Sequence, residues 1–231
     1  MTSVSTQQRR RLRDPSLRLG ALAWGLSVLY FAAQIIAALA WPRPYDVLHH
    51  TISALGYTSC ASVTNAGDVH YYCSPLHPVM NAGFIWLGVT TIAGAVWLRR
   101  LWSPPRSSAI DRCILALFIV CGISMIATGL APGDVDIRLH LLAAGPSFIC
   151  QHIALALVAI RVRRTHRTMA LLTGLCALLG LVGTMLLYAP NEWGLPFGLM
   201  ERIAIETMKV WMLGIAGHAM FRLRRETGVV L

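Results

Sequence analysis

The sequence predicts an all-α polytopic membrane protein with six transmembrane helices. Composition, segment length and charge placement are the three observations behind this prediction. Of the 231 residues, 56% are hydrophobic and only 13% are charged, and the mean hydropathy is +0.60. Water-soluble domains carry about 25% charged residues, and disordered chains are poor in apolar residues. The composition therefore excludes both of these classes.

Six apolar segments are long enough to cross a bilayer core about 30 Å thick, which takes roughly 20 residues of helix. They are apolar nearly all round, as is typical of buried or lipid-facing helices. The segments cover residues 17–41, 78–98, 110–131, 137–160, 168–189 and 199–221. We therefore predict one transmembrane domain over residues 17–221, a basic segment at 1–16 and a tail at 222–231.

The cations predict the orientation of the chain. Sixteen of the twenty Lys and Arg residues lie before or at the start of the first segment, in the second and fourth connections or at the segment ends that border them, or after the last segment. By the positive-inside rule this places both termini in the cytoplasm, with the protein in the cytoplasmic (inner) membrane. The net charge of +10 thus indicates topology and contact with anionic lipids, and we expect no nucleic-acid partner.

The first outer connection, residues 42–77, is much longer than the others, and long loops in compact domains are usually functional or disordered. Cys60 and Cys73 both lie in this loop. Because the outer compartment is oxidising, we predict a disulfide between them.

The first half of this loop is predicted to form a short helix. Tyr45, Leu48, Ile52 and Leu55 recur at spacings of three and four, and Gly56 suits a helix end. The opposite face of that helix would carry polar side chains: Asp46, His49, His50 and Ser53.

Candidate catalytic residues come from this loop and from the start of the fourth segment: His50, Ser53, Asp134, Asp136 and His140. Asp136 and His140 are four residues apart and so are neighbours on one helix face. Three interpretations stay open. His140, Asp136 and His50 would hold a zinc ion, or the groups form a general acid–base pair, or the acids cap a helix and pair with nearby histidines.

The last segment carries charges at membrane depth, which are costly and generally face a partner or a cavity. Glu201, Arg202 and Glu206, together with His49 of the loop, are therefore candidate ligand-binding residues. The alternative is a structural ladder of ion pairs that includes Lys209, because the spacings of three and four allow one face to neutralise itself.

Four stretches resemble motifs of the uncharacterised bacterial membrane family called domain of unknown function 998, in its actinobacterial form. They are HTISALG at 50–56, CSPLHPVMNAGF at 73–84, the turn from Pro132 to His140, and MER at 200–202. The resemblance covers residues 17–221 and implies a six-helix fold without an agreed reaction. Ala54 departs from the family, where Asp is commoner. The family is in turn distantly similar to the Frag1/DRAM/Sfk1 group, which implies a role connected with lipids.

These observations predict an outward-facing polar pocket that handles a lipid or lipid-like ligand, as a lipid hydrolase or transferase if the protein is an enzyme. A metal-activated water would then be the nucleophile. Membrane lipids are the expected partners, and a homo-oligomer is compatible with the sequence. The alternatives are a non-catalytic binding or accessory subunit and, with less support, a small transporter.

Overall fold

A computed structural model describes residues 15–65, 68–102, 108–189 and 194–227. The basic residues at 9–13, Arg106 and the end of the tail lie outside this range. Most of the described chain is helical. The helices are α1 (Pro15–Gly25), α2 (Val28–Leu39), α3 (His77–Leu98), α4 (Ala109–Leu130), α5 (Ile137–Val162), α6 (Arg167–Tyr188) and α7 (Phe197–Thr227).

Five helical stretches of the described chain are long and apolar enough to cross a membrane. They are Pro15–Leu39, His77–Leu101, Ala109–Leu130, Ile137–Val162 and Arg167–Tyr188. The prediction of a helical membrane protein is confirmed to this extent. Helix α7 covers the sixth predicted segment, but it carries Glu201, Arg202, Glu206 and Lys209 and does not belong to the five. A sixth crossing therefore stays a prediction.

The first predicted helix is interrupted at Leu26 and Ser27, between α1 and α2. The Trp86 indole N–H of α3 donates to the Leu26 carbonyl oxygen at 2.9 Å, and the Ser27 hydroxyl donates to the Trp24 carbonyl oxygen at 2.6 Å. These two carbonyls thus find partners outside the regular α-helical pattern, and the turn between the helices is satisfied internally.

The helices form a ring in which neighbours along the chain pack together from α3 to α7, and α1 closes the ring by contacting both α3 and α7. We call the end that carries residues 42–77 the loop end. At the opposite end an aromatic cluster of Trp24, Trp102, Phe118 and Trp211 fills the core. At the loop end Ile52 and Leu55 are buried among helix side chains, so the loop is part of the core.

The predicted loop helix is wrong except for one 3₁₀ turn at Ser53–Gly56. One helical hydrogen bond precedes this turn, from the His50 N–H to the Asp46 carbonyl oxygen at 2.8 Å, but other backbone groups of these residues bond to α7. The Leu199 N–H donates to the Leu48 carbonyl oxygen at 2.8 Å, and the Ile52 N–H donates to the Glu201 carboxylate. A regular helix would need these same groups for its own hydrogen bonds.

The rest of the loop forms an antiparallel hairpin that the all-α prediction missed. Its strands are β1 (Ala61–Asn65) and β2 (Asp68–Tyr72), with Ala61 opposite Tyr72. The predicted disulfide between Cys60 and Cys73 is confirmed. It lies directly beyond the Ala61–Tyr72 pair and closes the open end of the hairpin. This covalent link reinforces a two-stranded ribbon, which is only marginally stable by itself.

Candidate polar site at the loop end

The four motif regions of the sequence meet at the loop end. The Ser74 hydroxyl donates to the Leu55 carbonyl oxygen at 2.7 Å, and the Asn81 amide donates to the Gly56 carbonyl oxygen at 3.0 Å. Regions 50–56 and 73–84 are thereby joined. His140 of region 132–140 and Glu201 of region 200–202 both contact Ser53 in region 50–56.

Ser53 lies between a carboxylate and an imidazole. Its Oγ is 2.9 Å from Glu201 Oε1 and 3.1 Å from His140 Nε2. His140 Nδ1 is 2.7 Å from the Ala131 carbonyl oxygen, which fixes the ring orientation. Glu201 and His140 are only 6% and 5% exposed, and Ser53 is half-buried. We call Ser53, His140 and Glu201 the serine cluster.

Local structure explains how the three side chains come together. Helix α4 ends at Leu130, and a turn through Pro132 leads to Asp136, whose side chain caps α5 by accepting from the N–H groups of Arg138 and Leu139. His140 therefore sits one turn inside α5, facing back toward the end of α4. Glu201 lies in the first turns of α7, where the loop residues 48–53 pack on the helix.

The hydrogen bonds determine how many protons the serine cluster holds. Because the Ala131 oxygen only accepts, His140 Nδ1 carries a proton. With a neutral ring, Nε2 accepts the Ser53 proton, and the contact between Ser53 and Glu201 then needs a proton on the carboxyl group. If Ser53 instead donates to Glu201, Nε2 must donate and the ring is an imidazolium. Both arrangements hold the same number of protons.

Arg202, a candidate ligand-binding residue, uses its guanidinium to hold the loop. Its Nη1 donates to the carbonyl oxygens of His50 and Gly198, both at 2.9 Å, and its Nη2 donates to the Tyr45 hydroxyl. A side chain on Gly198 would run into the His50 carbonyl group, so glycine permits this close approach. Burial raises the pKa of Tyr45 and outweighs the opposing effect of Arg202, so this hydroxyl keeps its proton.

Asp134 also holds the loop. Its Oδ2 accepts from the N–H and hydroxyl groups of Thr58 and Ser59, at 2.9–3.0 Å. Partial burial alone would raise the pKa of this carboxyl, but the hydrogen bonds from Thr58 and Ser59 outweigh it and lower the pKa. Asp134 thus remains charged at neutral pH and fixes the segment that follows the 3₁₀ turn.

The zinc set predicted from His140, Asp136 and His50 is not assembled in this structure. Asp136 points its carboxylate at backbone N–H groups, and both ring nitrogens of His140 have partners. His50 Nδ1 accepts from the Asp46 N–H at 3.0 Å. Within the described ranges, no group of three or more His, Cys, Asp or Glu side chains is placed to hold a metal ion.

His49 and Glu206, the other candidate ligand-binding residues, lie outside the serine cluster. His49 Nδ1 is 2.8 Å from Asp46 Oδ2 on the exposed side of the loop, and this hydrogen bond lowers the pKa of Asp46. Glu206 accepts from the Gln34 amide at 3.0 Å. Beyond Glu206, the fully buried Lys209 donates to Gln151 Oε1 at 3.2 Å. The predicted ion-pair ladder is therefore replaced by pairing with amide side chains.

The sequence did not single out several groups that complete the site. The Ala131 carbonyl oxygen orients His140, and no sequence pattern marks a backbone acceptor. Tyr45 was interpreted only as an apolar position, although its hydroxyl bonds to the His50 and Thr51 carbonyl oxygens. Asn81 is a lone polar residue in an apolar segment, which predicts a hydrogen bond to another helix, but its amide donates to the loop at Gly56 instead.

Fold and site together define a helical membrane protein with a polar cluster at one end of its bundle. The chain belongs to the family described as "Protein of unknown function (DUF998)", whose model matches residues 26–218. The family resemblance inferred from the motifs is thus confirmed, while the similarity to the Frag1/DRAM/Sfk1 group and the actinobacterial type stay predictions. No curated protein and no solved structure matches the chain.

Proposed function

We propose that this protein handles a lipid or lipid-like molecule at the loop end, and that it cleaves or transfers an acyl group of that molecule with Ser53 as the nucleophile. The observation that carries the proposal is the 3.1 Å contact between Ser53 Oγ and His140 Nε2, with Nδ1 of the same ring bonded to the Ala131 carbonyl oxygen. A nucleophile, a base within hydrogen-bond reach and a group that orients the base are the parts that serine catalysis needs.

The proposed reaction follows from these positions. Ser53 Oγ attacks the carbonyl carbon of an ester, and its proton moves to His140 Nε2. The imidazolium then protonates the departing alcohol oxygen as the carbon–oxygen bond of the ester breaks. Water, or a second alcohol, attacks the acyl-serine, gives its proton to His140 and restores the Ser53 hydroxyl.

Glu201 controls which way the Ser53 proton points. With a proton on Glu201, the carboxyl group donates to Ser53 and leaves the hydroxyl free to donate to neutral His140. With a charged carboxylate, Ser53 donates to Glu201 and the base is already an imidazolium. The arrangement with protonated Glu201 is the reactive one. The arrangement with charged Glu201 has the positively charged ring that His140 acquires after it takes the Ser53 proton.

Labelling with an alkyl fluorophosphonate tests this proposal on the detergent-purified full chain. Such a probe reacts with an activated serine hydroxyl, forming an oxygen–phosphorus bond and releasing fluoride. We expect one label per chain on Ser53, located by peptide mass, and its loss in Ser53→Ala and His140→Ala. Ser62→Ala is the matched control, because Ser62 lies on the exposed hairpin of the same loop, and it should label normally.

Absence of a label on Ser53 in the folded protein would overturn the catalytic proposal. A label that persists in His140→Ala would do the same, because the hydroxyl would then react without its base. A circular dichroism spectrum and a monodisperse elution profile for each variant separate loss of reaction from loss of fold.

A non-catalytic binding or accessory subunit is the second candidate function. It is favoured by the way that Glu201 and Arg202 bond to loop backbone groups, since the Ile52 N–H and the His50 carbonyl oxygen are both occupied by them. For that function the Ser53 hydroxyl is only a link between helix and loop. Lipid that co-purifies equally with wild type and Ser53→Ala, without any labelling of Ser53, is the result expected of it.

We further propose that α7 completes a sixth crossing, with both termini in the cytoplasm of a bacterial cell and the loop end outside. The sixteen cations on alternate connections support this orientation. Cysteines introduced by Arg163→Cys and Arg138→Cys test it in intact cells with a membrane-impermeant maleimide. We expect label at position 138 and none at position 163, and the reverse pattern would invert the topology.

A further inference from the structure

A groove of about 540 Å³ lies at the loop end, between the last turns of α2 and the chain segment that follows it. One wall is apolar and open: Ile35 is 60% exposed, Leu39 is 81% exposed, and Val47 is also exposed. The other side is formed by Trp41, Tyr45 and Arg43. The volume is in the range of sites that bind small molecules.

The groove lies at the level where a membrane interface is expected. Helix α2 ends at Leu39, which closes the first candidate span, and Trp41 and Tyr45 follow directly. Trp and Tyr are enriched where the hydrocarbon core meets the headgroups. In a bilayer placed on this span, the exposed apolar side chains of α2 would face acyl chains and residues 41–45 would face headgroups.

Among the described residues that line the groove, Arg43 is the one that carries a charge. Its guanidinium lies 4.4 Å from the centroid of the Tyr71 ring, on the hairpin that the disulfide closes. The cation thus lies over the face of an aromatic ring, and no hydrogen bond of its N–H groups is found among the described residues, which leaves them to bind a phosphate.

From this combination we infer that the groove binds one anionic phospholipid, with an acyl chain along Ile35, Leu39 and Val47 and the phosphate at Arg43. An apolar slot with a single cation at the headgroup level complements a molecule with an apolar chain and a negative head. The inference rests on the proposed function for the handling of a lipid and adds the class of lipid and its place.

The groove adjoins the segment that carries Ser53. The Trp41 ring centroid is 4.9 Å from that of Tyr45 and 5.0 Å from that of His50. Tyr45 in turn bonds to the His50 and Thr51 carbonyl oxygens and to Arg202. One aromatic layer therefore separates the bound lipid from the backbone leading into the serine cluster.

Quenching of Trp41 fluorescence by brominated lipid tests the inference on the full chain in nanodiscs. The matrix is phosphatidylcholine with a small fraction of either brominated phosphatidylglycerol or brominated phosphatidylcholine. The Trp41 signal is the difference between wild type and Trp41→Phe. We expect the anionic lipid to quench Trp41 at about fivefold lower mole fraction than the neutral one, the factor that one cation near a membrane surface supplies.

Arg43→Gln should remove this preference, because the groove keeps its apolar wall and loses its charge. Arg138→Gln is the matched control: Arg138 is exposed at the same end of the bundle, outside the groove, and its loss should leave the preference intact. Both residues are on the surface, so neither change endangers folding.

Equal quenching by the two lipids in the wild type, or a preference that survives Arg43→Gln, would overturn the inference. Trp41 fluorescence that neither lipid quenches would also overturn it, and would point to a second copy of the chain covering the groove. The readout is separate from Ser53 labelling. If the anionic lipid is preferred but Ser53 is not labelled, the proposed nucleophile is contradicted and the proposed lipid site is supported. If Ser53 is labelled but neither lipid is preferred, the lipid site is contradicted and the nucleophile is supported.

Discussion

Each end of the helix bundle buries a carboxylate, and the two carboxylates are satisfied in different ways. Asp111 of α4, 3% exposed, accepts from Arg161 Nε at 2.8 Å and shares a capping box with Ser108. Glu201 accepts from the Ile52 N–H, contacts the Ser53 hydroxyl, and has no ion pair among the described residues. Asp111 is held as a charge by a cation, whereas Glu201 belongs to a chain of groups that can exchange protons.

The carboxylate of Asp111 therefore holds the structure, whereas the carboxyl group of Glu201 can change its protonation state together with its neighbours. A buried acid paired with a cation has a fixed protonation state, and breaking the pair leaves an uncompensated charge. A carboxyl group that contacts an imidazole through a hydroxyl forms a network whose members polarise one another. Substitutions at the two ends should therefore affect different measurements.

The largest loss of stability is expected from Asp111→Ala. This change leaves Arg161 unpaired and removes the Asp111 half of the capping box, so we expect unfolding in detergent to become easier by about 3 kcal/mol. Labelling of Ser53 per folded molecule should not change. The control is Asp136→Ala, which removes an exposed helix cap and should cost about 1 kcal/mol. Equal losses for both variants would contradict the structural role given to the Asp111–Arg161 pair.

Arg202→Ala should cost about 2 kcal/mol, because carbonyl groups of the loop lose a charged hydrogen-bond donor. The effect is expected as faster hydrogen exchange over residues 48–53, with α4 unaffected. Arg202→Lys keeps the charge but not the planar fork of donors, and should restore less than half of the protection. Full protection in Arg202→Ala would mean that the loop docks without this residue.

Asp134→Asn should cost about 1 kcal/mol at neutral pH, as expected for weakening a set of surface hydrogen bonds. The folded state lowers the pKa of Asp134, so its contribution is fully present above the unfolded value of about 3.9. It is lost as the pH falls through the lower, folded value. The protection of the Thr58 and Ser59 amides, measured as the exchange rate relative to the intrinsic rate at each pH, should therefore fall in acid in the wild type. In the variant it should lose this dependence on pH.

The smallest change in stability is expected from Glu201→Gln, and it tests the difference between Glu201 and Asp111 most directly. The amide oxygen still accepts from the Ile52 N–H, and the amide N–H₂ donates to Ser53 as a protonated carboxyl would. We expect a loss below about 1 kcal/mol, with Ser53 labelling retained. Asp111→Asn at the opposite end should lose more stability, because a neutral amide leaves Arg161 without its counter-charge. The opposite order of losses would break the distinction between the two ends.

The sequence was sufficient for the elements that rest on hydrophobicity. The apolar segments became helices with bounds shifted by a few residues, as for 137–160, which became Ile137–Val162. The hydropathy of a segment depends on its composition alone, so it is the same however the helices pack against one another. The same reasoning could not foresee the break at Leu26, because it depends on Trp86, a side chain 60 residues away.

The site was harder to predict than the helices, because its geometry comes from contacts between distant residues. Ser53 and His140 were both singled out, but as members of sets that also contained His50 and Asp136. The helical periodicity of residues 45–55 suggested that His50 and Ser53 share one face. The loop is instead shaped by Glu201 and Arg202, and this removes the helix and turns Ser53 toward His140. The periodicity of residues 45–55 carries no information about backbone hydrogen bonds to a helix that lies about 150 residues later in the chain.

The long separations within the serine cluster have a consequence for how the protein is made. His140 follows Ser53 by 87 residues and Glu201 follows it by 148. At about 5–20 residues per second of synthesis, Glu201 is added roughly 7–30 s after Ser53. Before Glu201 is added, the loop has its own hairpin and disulfide and its contacts to α3 and α5, but it lacks the contacts to α7. Synthesis of α7 is therefore the step that both anchors the loop to the last helix and completes the serine cluster, so the cluster cannot form before most of the chain has been made.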